Sequence, residues 1–95
     1  MENQHRKITG YRELTQQEID LMNEIKALGT QIEQVLDKVD AHVSDQWRDA
    51  FSKESDEDEV RLTKADPEYW AAEGRRKMQI ALMMITRAVA QPTSF

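Results

Sequence analysis

The sequence predicts an all-α protein: an antiparallel helical hairpin with a short N-terminal helix or arm, assembled into a helical homo-oligomer. Three observations carry this. Residues 66–92 hold helix formers between two prolines, Pro67 and Pro92. Residues 22–43 repeat apolar positions in alternating steps of three and four. Residues 80–85, Ile-Ala-Leu-Met-Met-Ile, are apolar at every position and therefore all around the helix. Such a helix must be covered on every side, which one partner helix in a short chain does not do. Other copies of the chain are the expected cover, and the plainer alternative is a Met-rich core helix in a three-helix monomer.

Each element can be justified in turn. The 95 residues allow one domain, 1–95, of modest core. In the arm, residues 1–14, Ile8, Tyr11 and Leu14 are spaced by three, but Gly10 interrupts them. The first long helix, about 16–45, opens on Thr15 and Glu18, a capping box, with Leu14 and Ile19 placed as a hydrophobic staple. Its apolar seam runs Met22, Ile25, Gly29, Ile32, Leu36, Val39 and Val43, a period of about 3.5 residues suited to helix pairing. Leu21, Leu28 and Val35 form a flanking row, so the face is wider than a two-stranded coil uses. Gly29 inside it lowers helix propensity by about 1 kcal/mol against Ala and suggests a close helix crossing or close approach to a ligand.

The connection, about 46–65, starts with Trp47 and Phe51, four apart and able to close the end of the bundle. Residues 52–59 are charged and lack an apolar anchor, and they read as a mobile, solvated turn. The second long helix, about 67–90, has Asp66 as its expected N-cap and Pro67 at its first position. Pro92 lacks an N–H and biases Gln91 away from helical angles, so the helix should stop near Ala90 or Gln91. Ala71, Gly74, Met78, Leu82, Ile85 and Val89 make its apolar stripe.

Composition narrows the functions. Asp+Glu number 18 against Lys+Arg 13, a formal charge of −5, which argues against duplex nucleic acid as a partner. The excess is local to Glu54, Asp56, Glu57, Asp58 and Glu59, while His5-Arg6-Lys7 and Arg12 make the arm basic. A small anionic ligand therefore remains open. There is no cysteine, hence no disulfide framework or thiolate metal site. No apolar run approaches membrane-spanning length and Met1 precedes no signal-peptide core, so the expectation is a soluble intracellular protein without a membrane partner.

Motifs for catalysis are missing. His5 and His42 stand alone, without a zinc-type cluster, and no Gly-rich phosphate loop or nucleophile elbow occurs. Glu54-x-x-Glu57 resembles half of a magnesium-binding pair, but no E-x-x-D follows. The expectation is no enzyme, no metal and no cofactor. Binding fares better. Tyr11 offers an aromatic face that stacks on a nucleobase or, more ordinarily, packs on the bundle. Lys26 follows seam residue Ile25, where its stem covers apolar surface and its ammonium meets either a phosphate or only solvent. Arg75, Arg76 and Lys77 form either a phosphate site or a solvated polar face.

The stretches YRELTQQEIDLMNEIKALG and PEYWAAEGRRKMQIALMMITRAVAQPTSF resemble the phage anti-CBASS protein 2 family of cyclic-oligonucleotide sponges. The carrying motifs are Y-R-x-L-T-x-x-E, N-x-I-K-x-x-G and W-A-A-x-G-R ahead of R-A-V-A-Q-P, in that order over nearly the whole chain. The resemblance implies hairpins assembled into a hexamer in the cytoplasm of an infected bacterium. There they would bind immune second messengers such as cyclic GMP–AMP without cleavage. It implies Tyr11 and Lys26 for the cyclic dinucleotide pocket between subunits, and Gly29, Thr30, Gly74 and Arg75 for a separate cyclic trinucleotide site. The chain departs from the family pattern at Arg76-Lys77 and Ile80. The competing function is a structural or adaptor hairpin whose partner is a protein.

Overall fold

A computed structural model describes residues 12–94 of the chain, so Tyr11 and the rest of the arm before Arg12 lie outside the described residues. Three helices follow in order: α1 Gln16–Ser52, α2 Asp56–Ala65 and α3 Pro67–Ala90. No strand occurs among the described residues, and the all-α class holds. The chain divides into two compact units, one running to Thr30 and resuming at Gln79, the other Gln31–Met78.

In the first unit the start of α1 lies beside the end of α3. Thr15 and Glu18 form the capping box: the Glu18 N–H donates to Thr15 Oγ1 at 3.2 Å, and the Thr15 N–H donates to Glu18 Oε1 at 2.8 Å. Two N–H groups that the helix itself leaves without partners are thereby satisfied. Further along, a Cβ built on Gly29 would lie 3.2 Å from Leu82 Cδ1, so this glycine marks a close crossing of α1 and α3. Along the whole of α1, seam residues Met22, Ile25, Ile32 and Leu36 are half-buried and Val43 is buried, but seam residue Val39 is exposed, as are Leu21, Leu28 and Val35 of the flanking row.

The second unit holds the fully buried apolar residues among those described: Val43, Ala50 and Leu62. Here α1 continues through 46–52, which the sequence reading gave to the connection, and the acidic stretch forms α2 rather than a loose turn. Ser55 caps α2, its Oγ accepting the Asp58 N–H at 3.2 Å. Asp56, Glu57, Asp58 and Glu59 then occupy the first turn, where the positive end of the helix dipole favours carboxylates. The charge run that suggested a solvated loop is a helix start, and Leu62, only 2% exposed, is the apolar anchor that reading did not find.

Every helix end uses a left-handed residue that is not glycine: Glu54, Asp66 and Gln91, with φ of 49°, 50° and 53°. At the end of α1 the Ser55 N–H donates to the Ala50 carbonyl at 2.9 Å and the Glu54 N–H to that of Phe51 at 3.1 Å, a Schellman closure. Asp66 departs from its expected role. It serves as C-cap of α2, its N–H on the Leu62 carbonyl at 2.9 Å, while its own carbonyl accepts the Trp70 N–H at 3.3 Å. In left-handed rather than extended backbone, its carboxylate does not reach back to the first N–H groups of α3. Gln91 ends α3, its N–H on the Arg87 carbonyl at 2.8 Å, immediately before Pro92.

Candidate functional site

The first unit gathers a polar cluster at the entry to α1. Arg12 donates from Nη1 to Glu18 Oε1 at 3.0 Å and from Nη2 to Glu18 Oε2 at 2.6 Å, a bidentate fork. Its Nη2 also donates to the Val89 carbonyl at 2.9 Å, one of the last carbonyls of α3, which the helix leaves free. The Arg12 hydrogen bonds, with that from the Thr15 backbone, hold the Glu18 carboxyl down at about 2, and the same pairing raises the Arg12 guanidinium above its ordinary value. Both groups are therefore charged across the physiological range.

Lys26 stands on α1 next to half-buried Ile25, exposed as its sequence position suggests. Its ammonium makes no hydrogen bond or ion pair with a described residue. One turn on, Thr30 donates from Oγ1 to the Lys26 carbonyl at 3.3 Å, which leaves its hydroxyl oxygen free to accept. Tyr11, the other residue expected at a dinucleotide pocket, lies outside the described residues.

The residues expected for a trinucleotide site fall in both units: Gly29 and Thr30 in the first, Gly74 and Arg75 in the second. They differ in what surrounds them. Gly29 is taken up by the crossing with Leu82, whereas a Cβ on Gly74 would meet nothing within 4 Å. Arg75 is already engaged. Its Nη2 donates to Asp37 Oδ1 at 3.0 Å and to Asp40 Oδ2 at 2.9 Å, and these bonds raise its pKa. A phosphate at Arg75 would have to displace two carboxylates. Arg76 and Lys77 both pair with Glu73, at 3.1 Å and 3.5 Å. The basic triplet is thus largely neutralised.

Trp47 and Phe51 stack at 5.6 Å between ring centroids, tilted by 33°. Trp47 Nε1 is buried with no hydrogen-bond partner among the described residues, and Trp47 lines a cleft with Asp40, Val43, Ser44, Glu68 and Ala71. Among the described residues, no group of three or more His, Asp or Glu is placed to hold a metal ion, and no helix is long and apolar enough to cross a membrane.

Sequence reasoning overlooked Glu18 as a partner of Arg12, although both belong to the quoted Y-R-x-L-T-x-x-E stretch; their spacing of six was the available signal. It had no signal for Val89, which lies 77 residues from Arg12, or for Asp37 and Asp40, which lie 38 and 35 from Arg75.

Residues 3–90 match the Acb2/Tad1 hairpin domain. The chain is also 39% identical over 105 aligned positions to anti-CBASS protein 2 of Pseudomonas phage JBD67, with 97% of each chain covered. The chain belongs to the Acb2/Tad1 hairpin family.

Proposed function

We propose that this protein binds and sequesters cyclic oligonucleotide second messengers without cleaving them. It thereby blocks CBASS-type antiphage signalling in the cytoplasm of the infected bacterium. Cyclic dinucleotides such as cyclic GMP–AMP are the principal ligands and cyclic trinucleotides a second class. The name of the relative that matches over nearly the whole length supports the pathway. Lys26 supports the ligand: it is an exposed cation on α1, not committed to any described residue. Among the described residues no carboxylate pairs with Lys26, unlike Arg75 with Asp37 and Asp40.

The working form is a homo-oligomer, a hexamer in this reading. Among the described residues, the buried apolar residues are only Val43, Ala50 and Leu62, whereas Met83, Met84 and Ile85 are 71%, 67% and 49% exposed. An apolar patch of that kind marks a protein interface. Lys26 lies ten residues beyond the first residue of α1, about 15 Å along the axis at 1.5 Å per residue. A pocket shared by two copies across a two-fold axis offers a cyclic dinucleotide one Tyr11 ring and one Lys26 ammonium from each side.

Calorimetric titration with cyclic GMP–AMP tests this, followed by heat denaturation and recovery of the ligand. The wild type should bind and release the ligand intact. Tyr11→Ala should lose roughly 1–3 kcal/mol per stacked base, and Lys26→Ala should bind more weakly with a shallower salt dependence. Linear product in proportion to protein would refute sequestration. Phe51, Tyr69 and Trp70, exposed by 60%, 52% and 66%, favour the adaptor reading instead. That reading gains if no cyclic dinucleotide or trinucleotide raises the unfolding temperature.

A further inference from the structure

Within the second unit a cleft of about 310 Å³ opens between α1 and the start of α3, lined by Asp40, Val43, Ser44, Trp47, Glu68 and Ala71. That volume is at the low end for a small-molecule site, about 300–1,000 Å³. The lining restricts what can enter. One part of it is apolar: Val43 is 6% exposed, Ala71 is half-buried, and Trp47 packs on Phe51. Each of the two helices also supplies a carboxylate. Glu68 has no hydrogen bond or ion pair with a described residue, and Asp40 gives only Oδ2 to Arg75. Arg75 does not balance this charge, because it is shared with Asp37. Asp37, Asp40 and Glu68 thus stand against one guanidinium, and no cation lines the cleft itself.

We propose that this cleft binds an alkylammonium group on an apolar stem, the chemistry shared by a free aliphatic diamine and a lysine side chain. The site is independent of the nucleotide-binding reading. An ammonium has three N–H donors, and Glu68, Asp40 Oδ1 and the Ser44 hydroxyl oxygen are acceptors without a partner among the described residues. The indole of Trp47 attracts a cation through the negative face of its ring. The methylenes of the stem cover Val43 and Ala71, as the stems of long cationic side chains cover apolar surface elsewhere. The same groups exclude a phosphate, whose anionic oxygens would meet two carboxylates and no balancing cation. A diamine is favoured over a single amine because its two charged ends answer two carboxylates, one on each helix.

Fluorescence titration of the full chain carrying Trp70→Phe tests the proposal, since Trp47 is then its only tryptophan. Trp70 is 66% exposed, so this background keeps the fold. The probes, at pH 7 and constant ionic strength, are 1,4-diaminobutane and N-acetyl-lysine methylamide, with 1,4-butanediol as the neutral control. Both amines should change the Trp47 emission saturably and the diol should not. Tighter binding of the diamine identifies a free diamine as the occupant, and tighter binding of the lysine derivative identifies a protein side chain. Glu68→Gln should weaken the amines roughly tenfold, the loss of one charged hydrogen-bond partner. Glu24→Gln, the same charge change at an exposed position of α1 outside the cleft, should weaken them by less than about twofold. Circular dichroism on each variant shows that the helices are retained. No saturable change with either amine would overturn the proposal, as would an equal response to the diol, and neither result depends on the glutamate variants folding. Equal weakening by Glu68→Gln and Glu24→Gln would overturn it too, since the amines would then respond to overall charge.

Discussion

The two described glycines invite the same substitution with different expectations. Both lie inside helices, Gly29 in α1 and Gly74 in α3, where alanine is more favourable by about 1 kcal/mol. At Gly74 the added Cβ meets nothing within 4 Å, so the propensity gain should appear nearly whole. For a domain of this size that is a rise in unfolding midpoint of about 4–8 °C per kcal/mol. At Gly29 the added Cβ would be 3.2 Å from Leu82 Cδ1, and Leu82 must shift to relieve the contact. Driving a side chain about 30° off its rotamer costs about 0.5–1.5 kcal/mol, so the net effect of Gly29→Ala should fall within about half a kcal/mol of zero. Thermal unfolding followed by circular dichroism, without ligand and at one fixed protein concentration, compares the two. A lowered midpoint for Gly74→Ala would refute the reasoning and mean that something outside this chain's own fold, such as another copy, sits against that position. An equal rise for both variants would mean that Leu82 does not hold the crossing tight. If Gly74 also borders a trinucleotide, Gly74→Ala should weaken that ligand and leave cyclic dinucleotide binding unchanged.

Two further outcomes are expected. Met84 is 67% exposed in the chain by itself, so Met84→Glu should leave the helices formed while reducing the mass seen by light scattering toward the 11.1 kDa of one chain. An unchanged assembly would place the interface elsewhere. The Glu18 carboxyl is lowered from 4.5 to about 2 in the folded chain, which means that it favours folding while ionised. Its contribution should be fully present above about pH 4.5 and fade as pH falls from there through about 2, so wild type and Glu18→Gln should converge in stability across that window. A difference that stays constant down to pH 2 would show that folding does not lower the Glu18 carboxyl.

Much of the helix plan was legible because the signals are local. Thr15 and Glu18 announce the start of α1, and Pro67 and Pro92 bracket α3, each acting within about one turn of chain. The half-buried seam through Met22, Ile25, Ile32 and Leu36 likewise follows from period alone. The end of α1 and the whole of α2 were harder to read, because the residues that take left-handed backbone there are Glu54 and Asp66. Without glycine as the marker, a Schellman closure leaves no sign in composition, and four acids in a row read as a solvated loop until Ser55 is seen to cap them. Tertiary structure alone decided the roles of the arginines. Arg75 meets Asp37 and Asp40 only because α3 runs back along α1 within the second unit, and Arg12 meets Val89 only because the ends of the chain's long helices adjoin in the first. Partners separated by 35 to 77 residues are chosen by how the chain returns on itself, which no short-range preference encodes.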